Sequence, residues 1–154
     1  MLTQRQVPHT LHPYHVPADT RDYGRAVATA LGVPAERLFK TLVAEVDGDL
    51  TVAVVPTSGD LDLKALAAAG GGRRAAVADR PAAERATGYV RGGISPLGQR
   101  RRLPTIVDSS AAGYPTIYVS AGRRGLQVEL APADLVRLTG ASYAPIARPG
   151  RAPG

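Results

Sequence analysis

Three features of this sequence could do chemistry: an isolated lysine, a glycine-rich segment and a serine at the end of an apolar run. Lys40 and one other residue are the only lysines among 19 cationic residues. A chain so rich in arginine keeps lysine where a compact, rotatable ammonium is needed, unless Lys40 is a solvated charge. Four glycines and Pro96 fall between Gly88 and Gly98, which indicates unusual backbone dihedrals beside a ligand or, alternatively, a long turn. Ser120 ends an apolar run further along the chain.

The usual catalytic nucleophiles and metal ligands are missing from the sequence. The chain has no cysteine, no Gly-x-Ser-x-Gly motif and no Gly-x-x-x-x-Gly-Lys phosphate loop. His9, His12 and His15 alternate with prolines, and Asp60 of the Asp60-x-Asp62 pair is better interpreted as a helix cap. We therefore predict no metal and no cofactor. Backbone amides and an ammonium can still stabilise an oxyanion, so hydrolysis of an acyl ester by water or by the substrate's own nucleophile fits best.

Composition points to a single soluble domain with an acidic partner. The chain has 154 residues, of which 44% are hydrophobic and 21% charged. These values are typical of one globular domain. No apolar run is long enough for a membrane span and the first residues do not resemble a signal peptide, so we expect a cytoplasmic protein. A net charge of +6 favours nucleic acid, contacted mainly through phosphates by Arg100, Arg101 and Arg102. Arg73-Arg74 and Arg123-Arg124 are further candidates.

The pattern of elements predicts an α+β domain. Asp47-Gly48 is a strong hairpin signal between two apolar runs, the first of which begins near Lys40. Short helices are predicted from Asp19 or Thr20, from Ser58–Asp60, and after Asp79 and Pro132. The later strands alternate with few βαβ units, which indicates one mixed or mainly antiparallel sheet flanked by short helices. We expect residues 1–148 to form this domain and residues 149–154 to be a disordered tail.

Four motifs in the chain resemble the bacterial YbaK/EbsC family. They are Phe39–Leu42 (FKTL), Gly59–Lys64 (GDLDLK), Thr87–Asp108 (TGYVRGGISPLGQRRRLPTIVD) and Ile117–Leu130 (IYVSAGRRGLQVEL). The likeness extends from about Tyr14 to Arg148. Members of that family are free-standing editing domains that deacylate mischarged tRNA, chiefly Cys-tRNA(Pro), and they are related to the editing insertion of bacterial prolyl-tRNA synthetases. The resemblance therefore implies a YbaK-like fold and a tRNA partner, with prolyl-tRNA synthetase as a further candidate.

The resemblance also implies roles for individual residues. Lys40 matches the family's essential lysine, which positions the aminoacyl ester. The loop from Gly92 to Pro96 matches the family's Gly-x-x-x-Pro loop, whose backbone holds the substrate carbonyl and the terminal adenosine. Tyr14 and Ser120 match other pocket residues. The site implied by the resemblance comprises the catalytic residues Lys40, Gly92, Gly93 and Ser120 and the substrate-binding residues Tyr14, Ile94, Ser95, Pro96 and Gln127. In this family the substrate's thiol is thought to attack its own ester, which explains the missing nucleophile.

Gln127 departs from the family pattern. The cysteine-specific members usually carry an acidic residue after Arg-Gly-Leu, where this chain has Gln127. The amino-acid preference therefore stays open between cysteine and another small residue, alanine or serine. Two other functions stay open as well: a non-catalytic module that binds tRNA or a synthetase, and a domain for another small acyl or nucleotide ligand.

Overall fold

A computed structural model describes residues 7–17, 19–90 and 93–149, which form ten strands and four α-helices. The strands are Thr10–Pro13 (β1), Phe39–Val46 (β2), Asp49–Pro56 (β3), Gly59–Leu61 (β4), Ala75–Val77 (β5), Thr105–Asp108 (β6), Ile117–Ser120 (β7), Leu126–Leu130 (β8), Ser142–Ala144 (β9) and Ala147–Pro149 (β10). The α-helices are Tyr23–Leu31 (α1), Leu63–Ala69 (α2), Arg80–Thr87 (α3) and Pro132–Thr139 (α4). Short 3₁₀ turns occupy Ala35–Arg37 and Ser109–Gly113.

The central sheet has five strands in the order β5-β2-β3-β6-β9. The β2–β3 hairpin closes at Asp47-Gly48, and both residues have positive φ (49° and 88°), as a tight two-residue turn requires. β6 pairs in parallel with β3 and with β9, whereas β2 pairs antiparallel with β3 and with β5. The sheet is therefore mixed. A three-stranded sheet, β1-β8-β7, and a two-stranded pair, β4 and β10, complete the fold. The predicted hairpin and the α+β class are thus confirmed.

The core lies on both faces of the central sheet because β3 carries a continuous apolar run, Val52–Val55, whose side chains alternate between the two faces. Val52 and Val54 face β7, β8 and α4, whereas Ala53 and Val55 pack on the side of α2 and β4. Such continuous apolar runs are expected of strands that are covered on two sides. β2 pairs along its whole length with β3, and the site described below lies at its first half.

Two of the predicted helix starts were wrong. α1 begins at Tyr23 instead of Asp19 or Thr20, and its N-cap residue Asp22 is in the left-handed conformation (φ 51°). Asp62, not Asp60, caps α2 by accepting a hydrogen bond from the amide of Ala65. Asp60 lies in β4, which pairs with β10 before the helix can begin. A distant strand partner therefore overrode the local capping preference.

The end of the chain also differs in detail from the sequence prediction. In place of one edge strand over Tyr143–Ala147, the structure has two short strands, β9 and β10, of which β10 ends at Pro149. The remainder of the predicted tail, 150–154, lies outside the described residues. None of the described helices is both long enough and apolar enough to cross a membrane.

Candidate active site

A cavity of about 640 Å³ opens between the start of α1, the first half of β2 and the β7–β8 hairpin. β5 pairs only with Ala44–Val46, so the first half of β2 is an edge of the central sheet. The walls of the cavity come from segments that are distant in sequence. Its lining residues include Tyr23, Lys40, Thr41, Ile94, Ser120, Arg124 and Gln127.

The register of the strands explains why Lys40, Ser120 and Gln127 meet. A parallel bridge between Leu38 and Tyr118 sets β2 beside β7. Side chains two residues apart on a strand point to the same face. Lys40 therefore shares the face of Leu38, and Ser120 shares the face of Tyr118. Because Leu38 and Tyr118 are bridged, Lys40 and Ser120 project from the same side. Gln127 is paired directly with Ser120 and projects from that side too. The same face is covered by α1, whose Val27 packs on Leu38 and Tyr118.

Lys40 is the cationic group on this face that the sequence singled out. Its Nζ lies 3.8 Å from Oδ1 of Asp60, and the two side chains are 35% and 54% exposed. A pair this exposed contributes little to stability. The ammonium can therefore exchange Asp60 for a ligand oxygen at low cost, which suits a residue that must bind a developing negative charge.

Ser120 is buried, but nothing around it resembles the activating base of a nucleophilic serine. Its Oγ accepts a hydrogen bond from the amide of Gly122 at 3.2 Å. Within the described residues no hydrogen bond joins Ser120 to a histidine: His12 pairs with Glu129 and His9 with the carbonyl of Val7. The Ser120 O–H can still donate to a ligand, so the geometry favours an orienting role.

The glycine-rich loop reaches the cavity through only part of its length. Gly92 lies outside the described residues. Gly93 packs so tightly on the β7–β8 hairpin that a Cβ there would come within 2.7 Å of the Arg123 Cα. Ile94 follows it into the cavity lining. Glycine at position 93 is thus needed for close approach.

Ser95 and Pro96 are buried without lining this cavity. Ser95 Oγ accepts a hydrogen bond from the Leu97 amide, and the Ser95 carbonyl accepts one from the Gln99 side chain. Pro96 lines a separate cleft of about 170 Å³. Both residues fix the shape of the loop, and their expected contact with the substrate stays a prediction.

Tyr14 reaches the site through a second tyrosine that the sequence did not single out. Its hydroxyl lies 3.1 Å from that of Tyr23, which itself lines the cavity. Burial, together with the hydrogen bond to Tyr14, raises the pKa of Tyr23 to about 12. The Arg124 guanidinium lies 5.9 Å from the centre of the Tyr23 ring. Tyr23 and Arg124 come from a helix start and a hairpin turn, and no local sequence signal places them together.

The three predicted RNA-binding arginines are exposed, and two of them also lie at helix ends. The Arg100 side chain lies against Gly88, which ends α3, and the Arg102 guanidinium lies against Gly140, which ends α4. A Cβ placed on Gly88 would be 3.7 Å from Arg100 Nε, and one placed on Gly140 would be 2.6 Å from Arg102 Nη2. Cations at helix C-termini interact favourably with the helix dipole. Arg101 and Arg102 line the smaller cleft that includes Pro96.

No group of three or more potential metal-ligating side chains occurs among the described residues. His12, the histidine closest to a carboxylate, takes part in a structural network instead. Glu129 contacts His12 at 2.9 Å and Arg37 at 3.6 Å. The hydrogen bond from Thr116 is the main reason that the pKa of Glu129 lies below its ordinary value. This network joins β1, β8 and the 3₁₀ turn before β2.

The fold and the site together define a small α+β protein whose cavity holds Lys40, Ser120 and Gln127 beside a basic, glycine-rich loop. The chain matches the aminoacyl-tRNA editing domain over residues 18–138. It is also 40% identical over 149 residues to a protein of Enterococcus faecalis, EbsC, described as a candidate Cys-tRNA(Pro)/Cys-tRNA(Cys) deacylase. That alignment covers 95% of this chain and 89% of EbsC. The chain therefore belongs to the aminoacyl-tRNA editing domain family, which confirms the resemblance found in the sequence and the expected class of enzyme, one that edits aminoacyl-tRNA.

Solved structures support the fold. The crystal structure of a candidate trans-editing enzyme for prolyl-tRNA synthetase matches with a TM-score of 0.80 and 24% identity, over 91% of this chain and 87% of that one. The hypothetical protein APE2540 matches with a TM-score of 0.84 and 24% identity, over 96% of both chains. At such identities the likeness establishes the shared architecture alone.

Proposed function

We propose that this protein acts in trans to remove cysteine from mischarged tRNA(Pro). The observation that carries the proposal is the convergence of Lys40, Ser120 and Ile94 of the glycine-rich loop on one cavity that contains no activated protein nucleophile among its described residues. The 40% identity to EbsC, described as a candidate Cys-tRNA deacylase, supports the choice of substrate.

The chemistry follows from what the cavity offers. The substrate's sulfur attacks its own ester carbon, the bond from that carbon to the ribose oxygen breaks, and the thiol proton ends on the ribose hydroxyl. The products are a cysteine thiolactone and free tRNA, which conserves all atoms. Lys40 and the loop amides bind the negative charge on the carbonyl oxygen, and Ser120 orients the acyl group. We assign no covalent intermediate to the protein.

The tRNA is bound outside the cavity by phosphate contacts. Arg101 and Arg102 line the cleft formed by the later part of the glycine-rich loop, and we assign to them contacts with the phosphates of the acceptor strand. Arg124 at the cavity wall is well placed for the last phosphate of that strand. The choice of tRNA(Pro), and prolyl-tRNA synthetase as a second partner, are part of this proposal.

A second candidate function is deacylation of serine or alanine. The observation that favours it is Gln127, a neutral and buried side chain in the cavity. A neutral amide pairs with a hydroxyl at least as well as with a thiol, and a hydroxyl substrate requires water or the ribose hydroxyl as the nucleophile. The two functions differ in the nucleophile and not in the site.

The test is a deacylation panel on tRNA(Pro) charged in turn with cysteine, serine, alanine and proline. We expect the fastest release with cysteine, and almost none after the cysteine thiol is alkylated. Release of serine or alanine in preference to cysteine would support the second candidate. Binding of tRNA without release of any amino acid would identify a non-catalytic module and contradict both.

A further inference from the structure

Asp60 contacts the lysine of the candidate active site but has no part in the chemistry proposed above. Its Oδ1 lies 3.8 Å from Nζ of Lys40, and its side chain is 54% exposed. It belongs to the Gly59–Lys64 motif, and the helix-cap role expected from the sequence is taken by Asp62. The Asp60 carboxylate therefore needs another explanation.

The backbone around Asp60 is fixed by contacts from the far end of the chain. Asp60 is paired with Arg148 in the β4–β10 ladder, yet its ion pair is with Lys40. The buried Asp108 anchors this part of the chain, because its Oδ1 accepts hydrogen bonds from two successive amides at the start of β10, at 2.9 Å each. Leu61 packs into the core on the side of α2, so the neighbouring Asp60 side chain points the opposite way. The fold thus holds Asp60 beside the ammonium.

The charges that line the cavity are mainly positive. Three cations line it, Lys40, Arg80 and Arg124. The described residues of the lining include one carboxylate, Asp22, which already forms an ion pair with Arg25 at 3.3 Å. An aminoacyl ester brings a further positive charge, the α-ammonium on the carbon next to its carbonyl group. Like charges this close repel, so the ammonium of the ligand needs a carboxylate beside Lys40.

We propose that Asp60 binds the α-ammonium of the substrate while Lys40 binds its ester carbonyl. The nitrogen and the carbonyl oxygen of an α-amino ester are separated by three bonds, so they lie about 3 Å apart. This spacing is close to the 3.8 Å between Nζ and Oδ1. The substrate therefore exchanges one exposed ion pair for two charge-assisted contacts. This inference rests on the proposed function, in which Lys40 binds the carbonyl, and it adds a residue that determines specificity.

The pair of charges selects esters that have a free α-amino group. An ester whose amino group is acylated, such as a peptidyl or formylaminoacyl ester, carries no positive charge there. It displaces Lys40 from Asp60 and leaves the carboxylate without a new partner. Because Asp60 is about half exposed, water offsets part of that loss, and the discrimination corresponds to about five-fold in affinity.

The test measures binding to the intact protein at pH 7 and low ionic strength, where exposed ion pairs are least screened. The ligands are adenosine analogues with a 3′-amide in place of the ester. They carry cysteine or alanine, or the same acyl groups without the amino group, 3-mercaptopropionate or propionate. The α-amino group is mainly protonated at this pH, since its pKa is about 8. We expect each α-amino analogue to bind about five-fold more tightly than its deamino partner.

Three variants locate the source of this preference. Asp60→Asn should bring the ratio of affinities close to one for both pairs, because it removes the charge and keeps the shape. Asp60→Glu restores a carboxylate and should retain most of the preference. Asp49→Asn is the matched control and should leave the ratio unchanged, because Asp49 is also exposed but lies beside the hairpin turn, at the end of β3 far from Lys40.

The inference is overturned by an equal ratio in the wild type and Asp60→Asn, by no preference in the wild type, or by no binding of any α-amino analogue. A loss of preference in Asp49→Asn as large as in Asp60→Asn would also contradict it, because net charge alone would then explain the effect. A preserved preference in a protein that does not deacylate Cys-tRNA(Pro) would instead contradict only the proposed function.

Discussion

Replacing Gly93 by alanine tests whether the contact between the glycine-rich loop and the β7–β8 hairpin shapes the site. The new Cβ would lie 2.7 Å from the Arg123 Cα and 3.1 Å from the Arg124 nitrogen. Carbon atoms pack at about 3.5–4.0 Å, so the two segments must move apart by about 1 Å. Both clashing groups are backbone, and no side-chain rotation can relieve the overlap.

Two consequences follow from that displacement. Overpacking of this kind costs about 1–3 kcal/mol of folding free energy. Because Ile94 and Arg124 line the cavity from these two segments, the walls of the site separate as well. A misplacement of about 1 Å in a positioned site can lower the rate about 100-fold. We therefore expect Gly93→Ala to reduce kcat/KM for Cys-tRNA(Pro) far more than its loss of stability explains.

The assay compares kcat/KM and thermal unfolding for the variant and a control. Gly113→Ala is the matched control, because a Cβ at Gly113 meets no atom within 4 Å. It should retain wild-type activity and stability. If Gly93→Ala deacylates as fast as the wild type and melts at the same temperature, the tight approach of the loop has no part in the reaction.

Four further predictions concern individual charges and the missing nucleophile. Lys40→Ala should lower kcat/KM by about 100-fold or more with an unchanged melting temperature. Lys64→Ala, the matched control, should have no effect. Equal activity of the two variants would contradict the assignment of Lys40 to the active site. Ser120→Ala should slow deacylation without stopping it, and mass spectrometry should find no acyl group on Ser120, because the substrate supplies the nucleophile. Replacing Arg100–Arg102 by glutamine should flatten the salt dependence of tRNA binding by about one unit of slope per lost phosphate contact, and an unchanged slope would remove them from the interface. The pKa of Glu129 in the folded protein is lowered from its ordinary value of 4.5. The stability that Glu129 contributes is therefore complete above pH 4.5 and is lost as the pH falls toward the folded-state pKa. Glu129→Gln should remove this part of the acid dependence in melting experiments.

Local signals predicted the fold well where they acted within one element. The Asp47-Gly48 turn was clear from sequence because its dihedrals depend on those two residues alone. The start of α1 was not, because its N-cap residue Asp22 has a left-handed conformation and makes no side-chain capping hydrogen bond, so the usual capping signal does not apply. Asp60 was misread for a similar reason, since β10 pairs with it from the far end of the chain.

The site was predictable only in part, for the same physical reason. Lys40 and Ser120 stand out in the sequence, and Arg124 was considered only as a contact for nucleic acid, whereas Tyr23 carries no local signal. Tyr23 and Arg124 line the cavity because α1 and the β7–β8 turn pack around the edge of β2. The contacts that the resemblance implies for Tyr14, Ser95 and Pro96 remain predictions, because none of the three lines the cavity in this structure.

The position of the cavity follows from how β2 and β7 meet. The two strands are joined at the isolated Leu38–Tyr118 bridge, and each pairs along its length with its own antiparallel partner, β3 or β8. Among the described residues the pairing of β2 with β7 does not continue past this bridge as a ladder. Lys40, Thr41 and Ser120 lie just beyond the bridge and line the cavity. The residues of the proposed site are therefore carried by strands of two different sheets that border one cavity.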